Sequence, residues 1–185
     1  GLPQAEVSLI RVVNDLSTPD IARATAVLEL APYLSPLSGQ VLERALKDDS
    51  PLVRIAALRT LEMLPPANRF PFAGHLLRDE LLAVRAEAGR VLAGTPMNQL
   101  GVADRGALQL ALKDWFDTQQ FNGDRPGSRV NLGNLQAQGG NATAAEQFYR
   151  QALKLDEDFM PAYLNLADLY RALGCEVSEI YCDPR

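Results

Sequence analysis

RVNLGNLQAQGGNATAAEQFYRQALKLDEDF, residues 129–159, is followed one residue later by PAYLNLADLYRALG, residues 161–174, and the second stretch echoes the first at a shift of 34. Asn131 matches Asn165, Leu132 matches Leu166, Leu135 matches Leu169 and Gly140 matches Gly174. A fixed period of roughly 20–50 residues is the mark of stacked supersecondary units, each too small to bury its apolar face alone. Ala145, Tyr149 and Ala152 fall on one side of a helix. The small residues let the partner helix come close, and the aromatic fills the gap they leave.

A second period, of 31, occupies the earlier part of the chain. DDSPLVRIAALRTLEML from Asp48 aligns with DELLAVRAEAGRVLAG from Asp79, pairing Val53 with Val84, Arg54 with Arg85, Ala57 with Ala88 and Leu61 with Leu92. A fainter copy places Arg23 and Ala26 another 31 residues upstream. Each unit also carries another apolar helix, such as SPLSGQVLERALK or FAGHLLR. Thr18-Pro19, Ser35-Pro36, Ser50-Pro51 and Thr95-Pro96 each offer a hydroxyl N-cap followed by proline at the first helical position. Helix-turn-helix units are therefore expected throughout, and the fold class is all-α: an α-solenoid of antiparallel helix pairs.

The 34-residue unit resembles the tetratricopeptide repeat (TPR), whose pattern is met by Asn131-Leu132-Gly133-Asn134, Gly140, Ala145, Tyr149 and Ala152. It departs from that pattern at Gln136, where the family usually has Tyr, and at Glu157, where it usually has Pro. The 31-residue unit resembles HEAT-like repeats, in which an acid precedes a Val-Arg pair. That resemblance implies a ladder of Arg23, Arg54 and Arg85, with Asp48 or Asp49 and Asp79 or Glu80 as partners. Stepping back 34 from Ala145 and Tyr149 lands on Ala111 and Trp115, so Trp115 is expected to serve the core where the two repeat types merge. The expected division is residues 1–106 as HEAT-like repeats, 107–123 as a junction helix, and 124–185 as the TPR segment. That segment holds one full repeat, a further first helix and an atypical tail.

Charge and composition remove several function classes. The net charge is −5 and no Lys/Arg block breaks the mixture, so the electrostatic footprint of a nucleic-acid binder is missing. No stretch approaches the ~18 apolar residues of a membrane span. His75 is the one histidine, beside Leu76 and Leu77, and is expected at a core or boundary position rather than as a base or ligand. There is no HExxH, no CxxC and no Gly-rich phosphate loop after a strand. The chain is read as non-catalytic, with no cofactor.

Recognition remains. In the TPR family the concave groove is lined by the first helix of each pair, and the resemblance implies Val130, Asn131, Asn134, Ala137 and Gln138 from the full repeat. The next helix supplies Leu164, Asn165, Asp168 and Arg171. Amides at Asn131, Asn134 and Asn165 would bond an extended peptide backbone, with Arg171 or Arg129 meeting an acidic end. The expected partner is a protein or peptide, and the expected role is a non-catalytic interaction scaffold within a longer polypeptide. The order of segments also resembles the C-terminal region of bacterial multihaem c-type cytochromes that carry TPRs. That resemblance implies a periplasmic location, with electron-transfer haems outside this chain, since no CxxCH occurs. Without it, a cytoplasmic location is expected.

The end of the chain breaks the pattern. A further second helix would carry Ala at 179 and an aromatic at 183, where Glu179 and Asp183 stand instead. Either Val177, Ile180 and Tyr181 cap the last helix, or its edge stays open to a partner or a second copy, giving a homodimer. Cys175 and Cys182 on one helix would lie ~10 Å apart, beyond the ~5.5 Å Cα spacing of a disulfide, so free thiols are expected.

Overall fold

The computed structural model describes residues 3–33 and 35–174. Among them are ten α-helices and no strand, as an α-solenoid requires. In chain order they are α1 (Pro3–Asn14), α2 (Asp20–Glu29), α3 (Pro36–Ala45), α4 (Pro51–Thr60), α5 (Phe70–Ala73), α6 (Leu82–Leu92), α7 (Val102–Phe121), α8 (Pro126–Gln138), α9 (Ala142–Leu155) and α10 (Met160–Ala172). The expected tail cap over α10 and the state of Cys175 and Cys182 fall outside the described residues. The chain forms two compact units, Gly1–Trp115 and Phe116–Arg185.

In the first unit, α2, α4 and α6 lie side by side as one layer, and α1 and α3 lie side by side in the other. A single apolar core joins them, with Val27, Leu46, Val53, Leu58, Val84 and Leu92 sealed from solvent. Val53 and Val84 hold the same place in the 31-residue period, which is why each successive helix presents the same apolar face. Trp115 is buried.

The arginine ladder forms in this unit. Arg23 pairs with Asp48 and donates its Nε to the Val13 carbonyl at 3.1 Å. Arg54 lies 3.0 Å from Asp79 and donates to the carbonyls of Asp48 and Asp49 at 2.7 and 3.0 Å. Arg85 repeats the second half of that arrangement with the carbonyls of Asp79 and Glu80 at 2.9 and 3.1 Å. Its carboxylate partner, however, is Asp114 of α7 at 3.0 Å, a residue outside the repeated sequence. Each guanidinium thus ties its helix to a neighbouring element, and Arg54 and Arg85 also hold the carbonyls of the acid-rich turns that precede α4 and α6.

Three of the four expected hydroxyl-proline starts are built differently. Ser35 caps α3 as expected, accepting from the Leu37 and Ser38 amides while Ser38 returns a bond to the Ser35 amide. Ser50 precedes Pro51 at the head of α4, but its hydroxyl makes no capping bond. Asp48 instead accepts the Ser50 amide at 2.9 Å, a stronger acceptor already held in place by Arg23. At α2 the cap position falls to Pro19, and Thr18 turns its hydroxyl back to Asp15. Thr95-Pro96 leads only into a 3₁₀ turn, Met97–Gln99.

FAGHLLR also departs from its expected single helix. The four-residue α5 gives way to a 3₁₀ turn, Gly74–Arg78. That winding sends Leu76 and Leu77 into the core and His75 outward. The expected core or boundary histidine is therefore exposed, with its Nε2 3.3 Å from the Leu46 carbonyl at the end of α3.

Candidate partner-binding face

The second unit is built around α8, α9 and α10. Pro126 starts α8, where its missing amide costs nothing. Gly140 ends that helix in a left-handed conformation at φ 78°. The Asn141 amide reaches back to the Gln136 carbonyl at 2.9 Å, and the Gly140 amide to Ala137 at 3.0 Å, the double closure that turns a helix end sharply. Asn141 then caps α9 by accepting the Ala144 amide. The sequence turn Gly139-Gly140-Asn141 thus folds α9 back along α8.

At their contact, Gly133 meets the ring of Tyr149. A β-carbon on Gly133 would lie 2.4 Å from Tyr149 Cε1, so the close approach needs glycine there. Ala145 and Ala152 flank the ring, fully buried, and Val130, Ala162 and Leu166 complete the core. The Tyr149 hydroxyl donates to Asn134 Oδ1 at 2.8 Å. Burial, and then the negative charge of Asp168, push this hydroxyl's pKa above the ordinary tyrosine value. One hydroxyl therefore links Asn134 of α8 with the field of Asp168 of α10.

Asn131, Asn134 and Gln138 share one face of α8 by their spacing. Asn131 is exposed and donates its amide to Gln119 Oε1 at 3.0 Å; Gln138 is exposed. Asn134 is half-buried and spends its carbonyl oxygen on Tyr149, while its amide hydrogens make no hydrogen bond among the described residues. On α10, Asn165 is half-buried and its amide makes no hydrogen bond among the described residues. Asp168 and Arg171 pair with each other at 2.9 Å while remaining exposed, where an ion pair is worth little. Val130 is buried in the core and Leu164 is 60% exposed. Arg129 is turned to its own loop, donating to the Gly123 carbonyl at 2.8 Å, whereas Arg171 is exposed.

A second polar group in this unit was not legible beforehand. Tyr170 donates to Glu146 at 2.6 Å, Arg150 donates to the same oxygen at 2.8 Å, and Arg150 also donates to the Tyr170 oxygen at 3.1 Å. The Tyr170 hydrogen bond, and after it Arg150, hold the Glu146 carboxyl below its usual range. The Glu146/Arg150 spacing is a visible one-turn pair; Tyr170 joins only because α10 packs on α9.

No group of three or more His, Cys, Asp or Glu among the described residues is arranged to hold a metal ion. No described helix is long and apolar enough to cross a membrane. Residues 126–159 match the family model described as tetratricopeptide repeat. No curated protein and no solved structure matches the chain. The matched segment is the α8–α9 pair with its connecting turn, so the repeat is defined by the same residues that make the Gly133–Tyr149 contact.

Proposed function

We propose that the chain is a non-catalytic scaffold that binds a protein or peptide on the face lined by α8 and α10. The observation that carries this reading is the row of amides at Asn131, Asn134, Gln138 and Asn165. Asn131, Asn134 and Gln138 stand on α8, within the segment matching an interaction repeat, and Asn165 stands on the neighbouring α10, with donors left over after the internal bonds are made. Such amides fit extended backbone, whose alternating carbonyls and amides match their donors and acceptors. Asp168 and Arg171 supply one charge of each sign to select the partner's side chains.

The first unit is read as HEAT-like on the strength of its arginine ladder. The reading of the chain as scaffold of an exported cytochrome rests on the order of segments alone, and CxxCH motifs in the upstream coding sequence decide it. Selection of binding peptides from a random library on the full chain tests the main proposal. Peptides are expected to lose binding to the Asn131→Ala, Asn165→Ala double variant while its thermal midpoint is unchanged. Selected peptides that bind the double variant equally well would refute it.

A further inference from the structure

Helix α3 carries a glycine in its interior that packing does not require. Gly39 lies in the middle of Pro36–Ala45, and a β-carbon built there meets no atom within 4 Å. Helix-interior glycine costs stability relative to alanine, so an uncrowded one calls for a reason outside the helix. What lies over it is a pocket of about 200 Å³, walled by Leu42, Leu46, Leu61, Leu64 and Phe72. Leu42, Leu46 and Leu61 are otherwise core residues, and Phe72 is 37% exposed. Two destabilising features therefore coincide: a glycine without a packing role and an unfilled apolar space beside it.

The pocket's size limits what can enter. Sites for drug-sized molecules run to roughly 300–1,000 Å³, so 200 Å³ suits a single large side chain. Its charge limits the occupant further. Glu43 lines the pocket and makes no ion pair among the described residues, and Ser35, also in the lining, donates to Glu6. Lys47 lines the adjoining pocket with His75, Glu43 and Phe72.

We propose that this pocket is an anchor site for a second protein contact, separate from the α8–α10 face. It takes one leucine- or phenylalanine-sized side chain of the partner, and a basic residue next to that anchor meets Glu43. Gly39 is kept small so that the anchor can seat. A fully buried apolar anchor in a pocket of core side chains is the arrangement that dominates binding energy at protein interfaces.

The test is methyl-detected NMR on the full chain, titrated with acetyl-Leu-Arg-amide, acetyl-Phe-Arg-amide, acetyl-Ala-Arg-amide, acetyl-Leu-Glu-amide and, separately, toluene. Leu42, Leu46 and Leu61 methyls are expected to shift with the first two probes, and about tenfold more weakly with the Ala and Glu probes. Gly39→Leu, which fills the pocket and improves the helix, abolishes the response. Should that variant fail to fold, Phe72→Ala removes an exposed wall and gives the same loss. Glu43→Gln reduces the Leu-Arg response to the Leu-Glu level, and Lys47→Gln does not reduce it. The proposal is overturned by the absence of methyl shifts at about 10 mM probe, where even millimolar affinity saturates. It is equally overturned by an unchanged response in Gly39→Leu, by equal losses in the Glu43 and Lys47 variants, or by saturation with toluene while every dipeptide is silent.

Discussion

The ring of Tyr149 occupies the space in which a β-carbon on Gly133 would stand, 2.4 Å from Cε1. Gly133→Ala gains helix propensity, but it drives a methyl into a ring that is fixed by burial and by its bond to Asn134. Overpacking wins: the variant is expected to lose about 1–3 kcal/mol in a urea melt. A variant as stable as the parent would show that α8 and α9 can separate without cost.

The Tyr149–Asn134 bond can be weighed by a double-mutant cycle. Tyr149→Phe and Asn134→Ala are each expected to cost about 0.5–1.5 kcal/mol. Their coupling should be about 1 kcal/mol, because they remove one shared bond. Additive losses would mean the hydroxyl and the amide act separately.

Breaking the ladder at different rungs should cost different amounts. Arg54 and Asp79 have side chains 11% and 9% exposed, and Asp79 also accepts the Leu81 amide. Arg54→Ala leaves that carboxylate buried without its cation, at an expected cost of about 3–5 kcal/mol. Arg85 and Asp114 are more open to water, and Arg85→Ala should cost about 1 kcal/mol. Thermal melts giving the reverse order would show that the inner rung is not the stronger tie.

Acid should unfasten α4 from α6 through Glu87. Burial works to raise its carboxyl pKa, but hydrogen bonds from Arg90 and Arg59 outweigh burial and leave it lowered from 4.5. A carboxyl lowered in the folded state contributes stability that is fully present above 4.5 and lost as pH falls below it through the folded value. Glu87→Gln is therefore expected to be less stable than the parent at neutral pH and to flatten the fall in stability below pH 4.5. Urea midpoints measured across that range check it, and parallel curves for variant and parent would contradict it.

How far the fold could be read from sequence depends on whether a signal was local. Gly140 and Gly174 both sit where the helical pattern stops, and both adopt left-handed φ, at 78° and 77°. Arg23–Asp48 and Arg54–Asp79 were legible because the repeat brings the same pair together each time. Asp114 as the partner of Arg85 was not, because the repeat ends there and a different helix fills the place. Ser50 shows the same limit: its hydroxyl makes no capping bond, and its amide is taken by Asp48, which Arg23, 27 residues before Ser50 in sequence, holds in place.

For the candidate face, spacing put Asn131, Asn134 and Gln138 on one side of a helix, and nothing in spacing says which amides are already engaged. Tyr149 takes the oxygen of Asn134, Gln119 takes an amide hydrogen of Asn131, and Asn165 keeps its whole amide among the described residues. The sequence by itself determined the all-helical class and the 34-residue pair with its glycine turn, since those follow from periodicity and the conformational needs of glycine. Only the tertiary structure decided which polar groups remain unspent and where an apolar pocket stays open over Gly39. Both depend on side chains that meet across helices, and a one-dimensional pattern does not contain those meetings.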